Sequence, residues 1–194
     1  MKQMFISHSV ADAWHRGLTD NAIGMLTGTH QIPANPAMVL GKELHAEYEA
    51  ETRETGRVPK IFKLDPGPVE PELFGKIKVY DWLWLIGHAD AVGKDFIIDY
   101  KTGGGSAKLV GYQVPLYCAI FGKKKGHIYH YNTRTGDITT ASKRITAKII
   151  DETIDWIVSI ACDIRGSCEA AEIKWWRDNE ATVEEEIRAE RNRG

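Results

Sequence analysis

At 194 residues, with 43% hydrophobic and 27% charged residues, the chain has an ordinary globular composition and about the length of one domain, enough to bury roughly 70% of its unfolded surface. No apolar run approaches the ~20 residues a membrane span requires, and Met1-Lys2-Gln3-Met4-Phe5-Ile6-Ser7-His8 has no apolar stretch of signal-peptide length, so a soluble cytoplasmic protein with no membrane partner is expected. A net charge of −2 argues against coating DNA by phosphate neutralisation alone, though not against a local positive track.

Ser9 followed by Asp12 reads as a cap opening a helix over 10–16. The Gly/Thr/Pro-rich stretch 24–36 reads as irregular. Helix formers and the apolar Val39, Leu40 and Leu44 predict a helix over 37–55, ended by Gly56. A connection over 59–71 contains Asp65-Pro66-Gly67-Pro68. Apolar, β-branched and aromatic residues predict strands over 73–80, 83–91 and 95–102. Gly103-Gly104-Gly105 breaks the last, and Ser106 is placed to cap a helix reaching about residue 121. A hairpin over 126–133 and 137–142 turns at Asn132-Thr133-Arg134-Thr135-Gly136. Ile145, Ile149, Trp156 and Ile160 recur at helical spacing through about residue 162, and two further helical pieces follow, the second capped by Thr182 with Glu185. The order is α, then β-β-β-α-β-β, then α, with no internal repeat. The expectation is one domain over 1–194, with a catalytic core over about 38–121 and a helical extension over about 145–194.

Cys118, Cys162 and Cys168 are odd in number, scattered and outside any CxxC pair, so neither a disulfide framework nor a zinc site is indicated. Lys123-Lys124-Lys125, Lys143-Arg144 and Arg188/Arg191/Arg193 are local basic clusters, each equally readable as solvated surface.

The informative stretch runs from Gly87 through Gly103. A two-residue turn at Gly93-Lys94 pairs residues whose numbers sum to 187. Side chains alternate along a strand, so Asp90, Ile97, Asp99 and Lys101 then share one face, with Asp90 and Asp99 as diagonal neighbours about 7–8 Å apart. A three-residue turn would flip that parity unless a bulge restored it. Unpaired charges on an apolar sheet face cost several kcal/mol each, a cost that Mg²⁺ or Mn²⁺ on the two carboxylates offsets. The plain alternative for Asp99 and Lys101 is a salt bridge at the sheet edge.

Asp90, then Asp99-Tyr100-Lys101-Thr102-Gly103, then Gln113-Val114-Pro115-Leu116-Tyr117 resembles the core of RecB-type nucleases in the PD-(D/E)xK superfamily. Their G-x-x-D strand end reads here Gly87-His88-Ala89-Asp90. Gly41-Lys42-Glu43-Leu44-His45 resembles the family's glycine-led helix with a metal-binding histidine, and Glu70 is a looser match to a glutamate on the preceding strand. The resemblance covers about residues 38–121. It implies an α/β, restriction-endonuclease-like core with a mixed central sheet flanked by helices. Iron–sulfur members carry cysteines near the N-terminal helix and past the core; these are missing here, which argues against such a cluster.

By that resemblance Asp90 and Asp99 coordinate the metal, with the Tyr100 backbone carbonyl and His45 as further ligands. Lys101 acts as base or as a cationic anchor. A lysine ordinarily titrates near 10.4, so basic action at pH 7 would cost about 4 kcal/mol, which favours the charged role. Gln113 and Tyr117, four apart on one helix face, orient Lys101, contact a phosphate or position a DNA end, unless they are only a polar helix edge. Trp82, Trp84, Trp175 and Trp176 are candidates for base stacking, though tryptophans are more often core. The expected activity is Mg²⁺- or Mn²⁺-dependent deoxyribonuclease action, exonucleolytic at DNA ends or single strands. The rivals are a structure- or site-specific endonuclease and a non-catalytic nucleic-acid-binding module. No helicase motif is present, so a helicase or recombination partner would be another chain.

Overall fold

The computed structural model describes residues 2–29, 35–108 and 111–177. The chain forms two compact units, one of Met1–Pro33, Lys76–Gly87 and Asp151–Arg193, the other mainly of Ala34–Gly75 and His88–Ile150. Six strands make one mixed sheet in the order β1-β3-β4-β5-β6, with β2 also on β3. These are β1 (Met4–Ile6), β2 (Val69–Tyr80), β3 (Leu83–Gly93), β4 (Phe96–Gly103), β5 (Lys125–Asn132) and β6 (Ile138–Arg144). The expected α/β class with a mixed sheet flanked by helices holds. Among the described residues no helix is long and apolar enough to cross a membrane.

In the second unit, α3 (Pro36–Thr55) opens with Asn35 accepting from the Met38 amide at 2.9 Å and closes on left-handed Gly56. The connection after it contains a short 3-10 turn, Lys60–Phe62, and the next strand begins at Val69, earlier than predicted. Within β2, Glu72 has φ +52. A non-glycine residue there marks a bulge, and Val69 and Leu73 accordingly join different core clusters.

The β3–β4 register pairs Ala91 with Ile98 and Val92 with Ile97. The pair numbers sum to 189, so the turn residues are Lys94-Asp95, a correction to the Gly93-Lys94 turn. A shift of two keeps the face of every side chain. Gly93 serves packing instead: a Cβ there would lie 2.2 Å from the Phe96 ring.

β4 pairs with β5 in parallel, from Phe96↔Lys125 to Gly103↔Asn132, through α4 (Gln113–Phe121). That helix starts at Gln113, so Ser106 is not its cap; Gly111, at φ +77, lies just before it. β5 and β6 form the expected antiparallel hairpin. Alternation along β4 divides the core. Ile98 and Tyr100 pack with Tyr48, Phe62 and Tyr129 on the α3 side. Ile97 packs with Val114, Tyr117 and Cys118 on the α4 side. Each fully buried isoleucine contributes roughly 1.5–3 kcal/mol.

In the first unit, β1, which sequence reading missed, pairs in parallel with Leu83–Leu85. α1 (His8–His15) is capped by Ser7, not Ser9. α2 (Thr19–Thr27) occupies part of the stretch expected to be irregular and ends on left-handed Gly28. α5 (Ala147–Ala170) is one helix running well past residue 162; within this unit it buries Ile157, Ile160, Ala161, Ile164 and Cys168. Ile145 precedes it as a buried strand-end residue. Trp175 is 2% exposed and so is core, which removes it as a base-stacking candidate. The Thr182–Glu185 cap and the Arg188/Arg191/Arg193 cluster lie outside the described residues.

Candidate functional site

All the groups of the candidate site belong to the second unit. β4 supplies Asp99 and Lys101 on the α4 side of the sheet, and one turn of α4 supplies Gln113 and Tyr117. The Lys101 ammonium donates to Asp99 Oδ1 at 3.0 Å and lies 2.8 Å from Oδ2. It also donates to Gln113 Oε1 at 2.9 Å, and Gln113 Nε2 donates to the Tyr117 hydroxyl at 3.0 Å. Four of the five predicted catalytic side chains thus form one chain of hydrogen bonds.

The fifth, Asp90, enters differently. The β3–β4 ladder stops at Ala91↔Ile98, and the next amide, that of Tyr100, donates at 2.7 Å to Asp90 Oδ2. A carboxylate has taken the place of a backbone carbonyl. Ala89 and Ala91 also pack into different clusters, so strand alternation breaks at Asp90. The carboxylate therefore sits in the split between two strands, where both Asp99 and the α3 side are within reach.

α3 brings His45, whose Nδ1 lies 3.7 Å from Asp90 Oδ1. Gly41 lies one helical turn before His45, and a Cβ on it would come within 3.0 Å of Thr102 Oγ1 on β4. Glycine at this position lets α3 lie close to β4 without displacing Thr102, which would otherwise have to give by a few tenths of an ångström. Tyr100 contributes its backbone to the site, while its ring stacks on Phe62 at 5.2 Å between centroids and meets the His45 ring edge-on at 6.4 Å.

Asp90 and Asp99 are 6% and 2% exposed, so their charges are deeply desolvated. Burial raises the Asp99 carboxyl to about 6; Lys101 pulls it down and Asp90 pushes it further up. A cation beside both carboxylates would reverse that balance. Among the described residues no three His, Cys, Asp or Glu side chains are arranged to hold a metal outright. Two carboxylates suit Mg²⁺, which commonly takes one or two from a protein and keeps water and substrate oxygens for the rest. The donor chemistry therefore fits a hard divalent cation.

Glu70 is exposed and is not brought to the other residues. Its neighbour Glu72, turned inward by the bulge, places Oε2 2.7 Å from His88 Nδ1, with both side chains buried. Sequence reading missed this pair. The only local signal was His88 inside Gly87-His88-Ala89-Asp90, and the bulge that turns Glu72 inward has no signature in composition.

No family profile matches the chain, and no curated protein sequence matches it. Solved structures do. The alkaline exonuclease LHK-Exo of Laribacter hongkongensis, in a complex with dAMP, superposes with a TM-score of 0.60 at 17% identity, over 86% of this chain and 91% of that one. A phage-related exonuclease of Haemophilus somnus superposes at 0.53 with 13% identity, over 81% and 83%. The structure SSO0001 superposes at 0.53 with 17% identity, over 81% and 77%. The chain shares with these exonucleases a mixed α/β fold.

Proposed function

We propose that the chain is a metal-dependent deoxyribonuclease of the RecB-type group, cutting phosphodiester bonds as an exonuclease at DNA ends or on single strands. The observation that carries this reading is the placement of two buried carboxylates, Asp90 and Asp99, beside an ammonium that Gln113 and Tyr117 hold in place. Burying like charges together costs several kcal/mol, and a fold has no need of that arrangement. The LHK-Exo complex with dAMP supports a deoxynucleotide as the ligand class.

Asp90 and Asp99, with His45 and the Tyr100 carbonyl as further ligands, would hold Mg²⁺ or Mn²⁺, which when bound would supply Lewis-acid stabilisation of the phosphate and a more acidic water. Lys101 orients the attacking water and faces the charge that grows on the phosphate. Gln113, steadied by Tyr117, fixes the lysine rotamer before substrate arrives. Asp90, bound to the Tyr100 amide, keeps its carboxylate at the strand split. An end-processing enzyme of this kind would work in the cytoplasm beside a helicase or recombination protein on another chain.

The test is digestion of end-labelled DNA with Mg²⁺, Mn²⁺ or EDTA by the wild type and by Asp99→Ala and Lys101→Ala. Cleavage should require the metal, and each variant should lose about 10²-fold or more while keeping its circular dichroism spectrum. Near wild-type rates in both variants would place the site elsewhere.

A further inference from the structure

The first unit carries a set of side chains that the nuclease reading does not use. Lys76, Lys78 and Tyr80 on β2 are exposed, and Trp82, in the turn that follows, and Trp84 on β3 are half-buried. One face of the Trp84 ring stacks on buried Phe5, with centroids 6.3 Å apart and planes 12° apart. Over the ring also lie the ammonium groups of Lys76 at 5.1 Å and Lys78 at 5.9 Å. Tyr80 and Trp82 stack in parallel, 6.2 Å and 5° apart, with the Arg165 guanidinium 4.8 Å from the Trp82 ring. Asp81 pairs with Lys78 at 2.9 Å and Glu169 with the Arg165 guanidinium at 3.0 Å, and these are the acids that phosphates would displace.

Flat rings in register with flexible cations are what a single strand of nucleic acid needs: bases stack on the rings while phosphates meet the cations. Duplex hides its base faces and has no use for half-exposed rings of this kind. A protein partner would be better served by the rings without three cations over them. The rigid backing of Trp84 by Phe5 also means that little ordering cost attends stacking.

We propose that this face, centred on Trp84, Trp82 and Tyr80 with Lys76, Lys78 and Arg165, binds single-stranded DNA by base stacking and phosphate contact. It extends the nuclease reading by giving the protein a grip on the strand, but its test runs without catalysis. Anisotropy of labelled oligo-dT and oligo-dT duplexed with oligo-dA is measured in EDTA, over a series of salt concentrations, for wild type, Lys76→Gln/Lys78→Gln and Trp84→Leu. Leucine keeps apolar contact with Phe5, and circular dichroism checks each fold. The wild type should prefer the single strand. The double lysine variant should lower the slope of log affinity against log salt by about 1.4, roughly 0.7 per phosphate contact. Trp84→Leu should weaken binding about 10-fold with the slope unchanged. Wild-type affinity and slope in both folded variants would overturn the proposal even if the protein digests DNA. Loss of binding in the variants would uphold it even if no cleavage were found. Association of the protein with itself, lost in Trp84→Leu without any effect on DNA, would assign the face to a second copy instead and also overturn it.

Discussion

Asp99 is charged in a place that disfavours charge. Burial raises its carboxyl from 3.8 to about 6, so between those values the folded protein holds a proton that the unfolded chain has released. Stability from this group is therefore greatest at low pH and is lost as pH rises through about 6. Asp99→Asn abolishes that penalty. Without metal at pH 8 the variant should melt a few degrees above the wild type, with the gap closing as pH falls toward 4. Mg²⁺ should raise the wild-type melting temperature and leave the variant unmoved. A variant that melts no higher than wild type at pH 8 would show that Asp99 is comfortable without a cation. His45 is tested apart from it. His45→Ala should weaken Mn²⁺ binding in calorimetry and lower activity, with excess Mn²⁺ restoring part of it, because imidazole suits Mn²⁺ better than strongly hydrated Mg²⁺. Unchanged Mn²⁺ affinity would leave His45 as no more than an ion-pair partner of Asp90.

Among the elements, the close approach of α3 to β4 rests on one missing methyl group. Gly41→Ala puts a Cβ 3.0 Å from Thr102 Oγ1, close enough that the helix or the threonine must give. Activity should fall several-fold, and Gly41→Ala/Thr102→Ala should recover most of it, a coupling that a double-mutant cycle reads directly. Additive losses would mean that α3 does not need this approach. Asp99 and Lys101 could be read from sequence because alternation along one strand fixes their shared face; Asp90 was legible from its place in the same hairpin, but the break in alternation there was not. The turn itself was misplaced because Gly93 has the appearance of a turn residue, whereas its role is to leave room for Phe96. β1 is only Met4–Ile6, too short for a pattern, and α2 was hidden by Gly24 and its threonines. Gln113 and Tyr117 were legible as a helical pair. Orienting Lys101 was one of the roles their spacing offered; the order, with Gln113 accepting from the lysine and Tyr117 accepting from Gln113, was not legible.

For the whole molecule, a net charge of −2 offers little for gripping continuous duplex, so ends and single strands are the expected substrates. Linear duplex, linear single strand and covalently closed plasmid, digested side by side with Mg²⁺ and Mn²⁺, decide it. Linear DNA should disappear progressively while the closed circle persists. Nicking of the circle at rates matching the linear substrates would make the protein an endonuclease. One feature of the chain's layout bears on its synthesis. The second unit is drawn mainly from two stretches of chain, but the first is gathered from three. In the first unit, Arg177 donates its amide to Gln3 O at 3.1 Å and its side chain to Leu26 O at 2.7 Å. During translation β1, α1 and α2 emerge before the second unit, yet their partner Arg177 is made about 150 residues after α2. Contacts that distant form slowly, so the second unit should close while the N-terminal helices still wait. Residues made before the second unit are then placed after it.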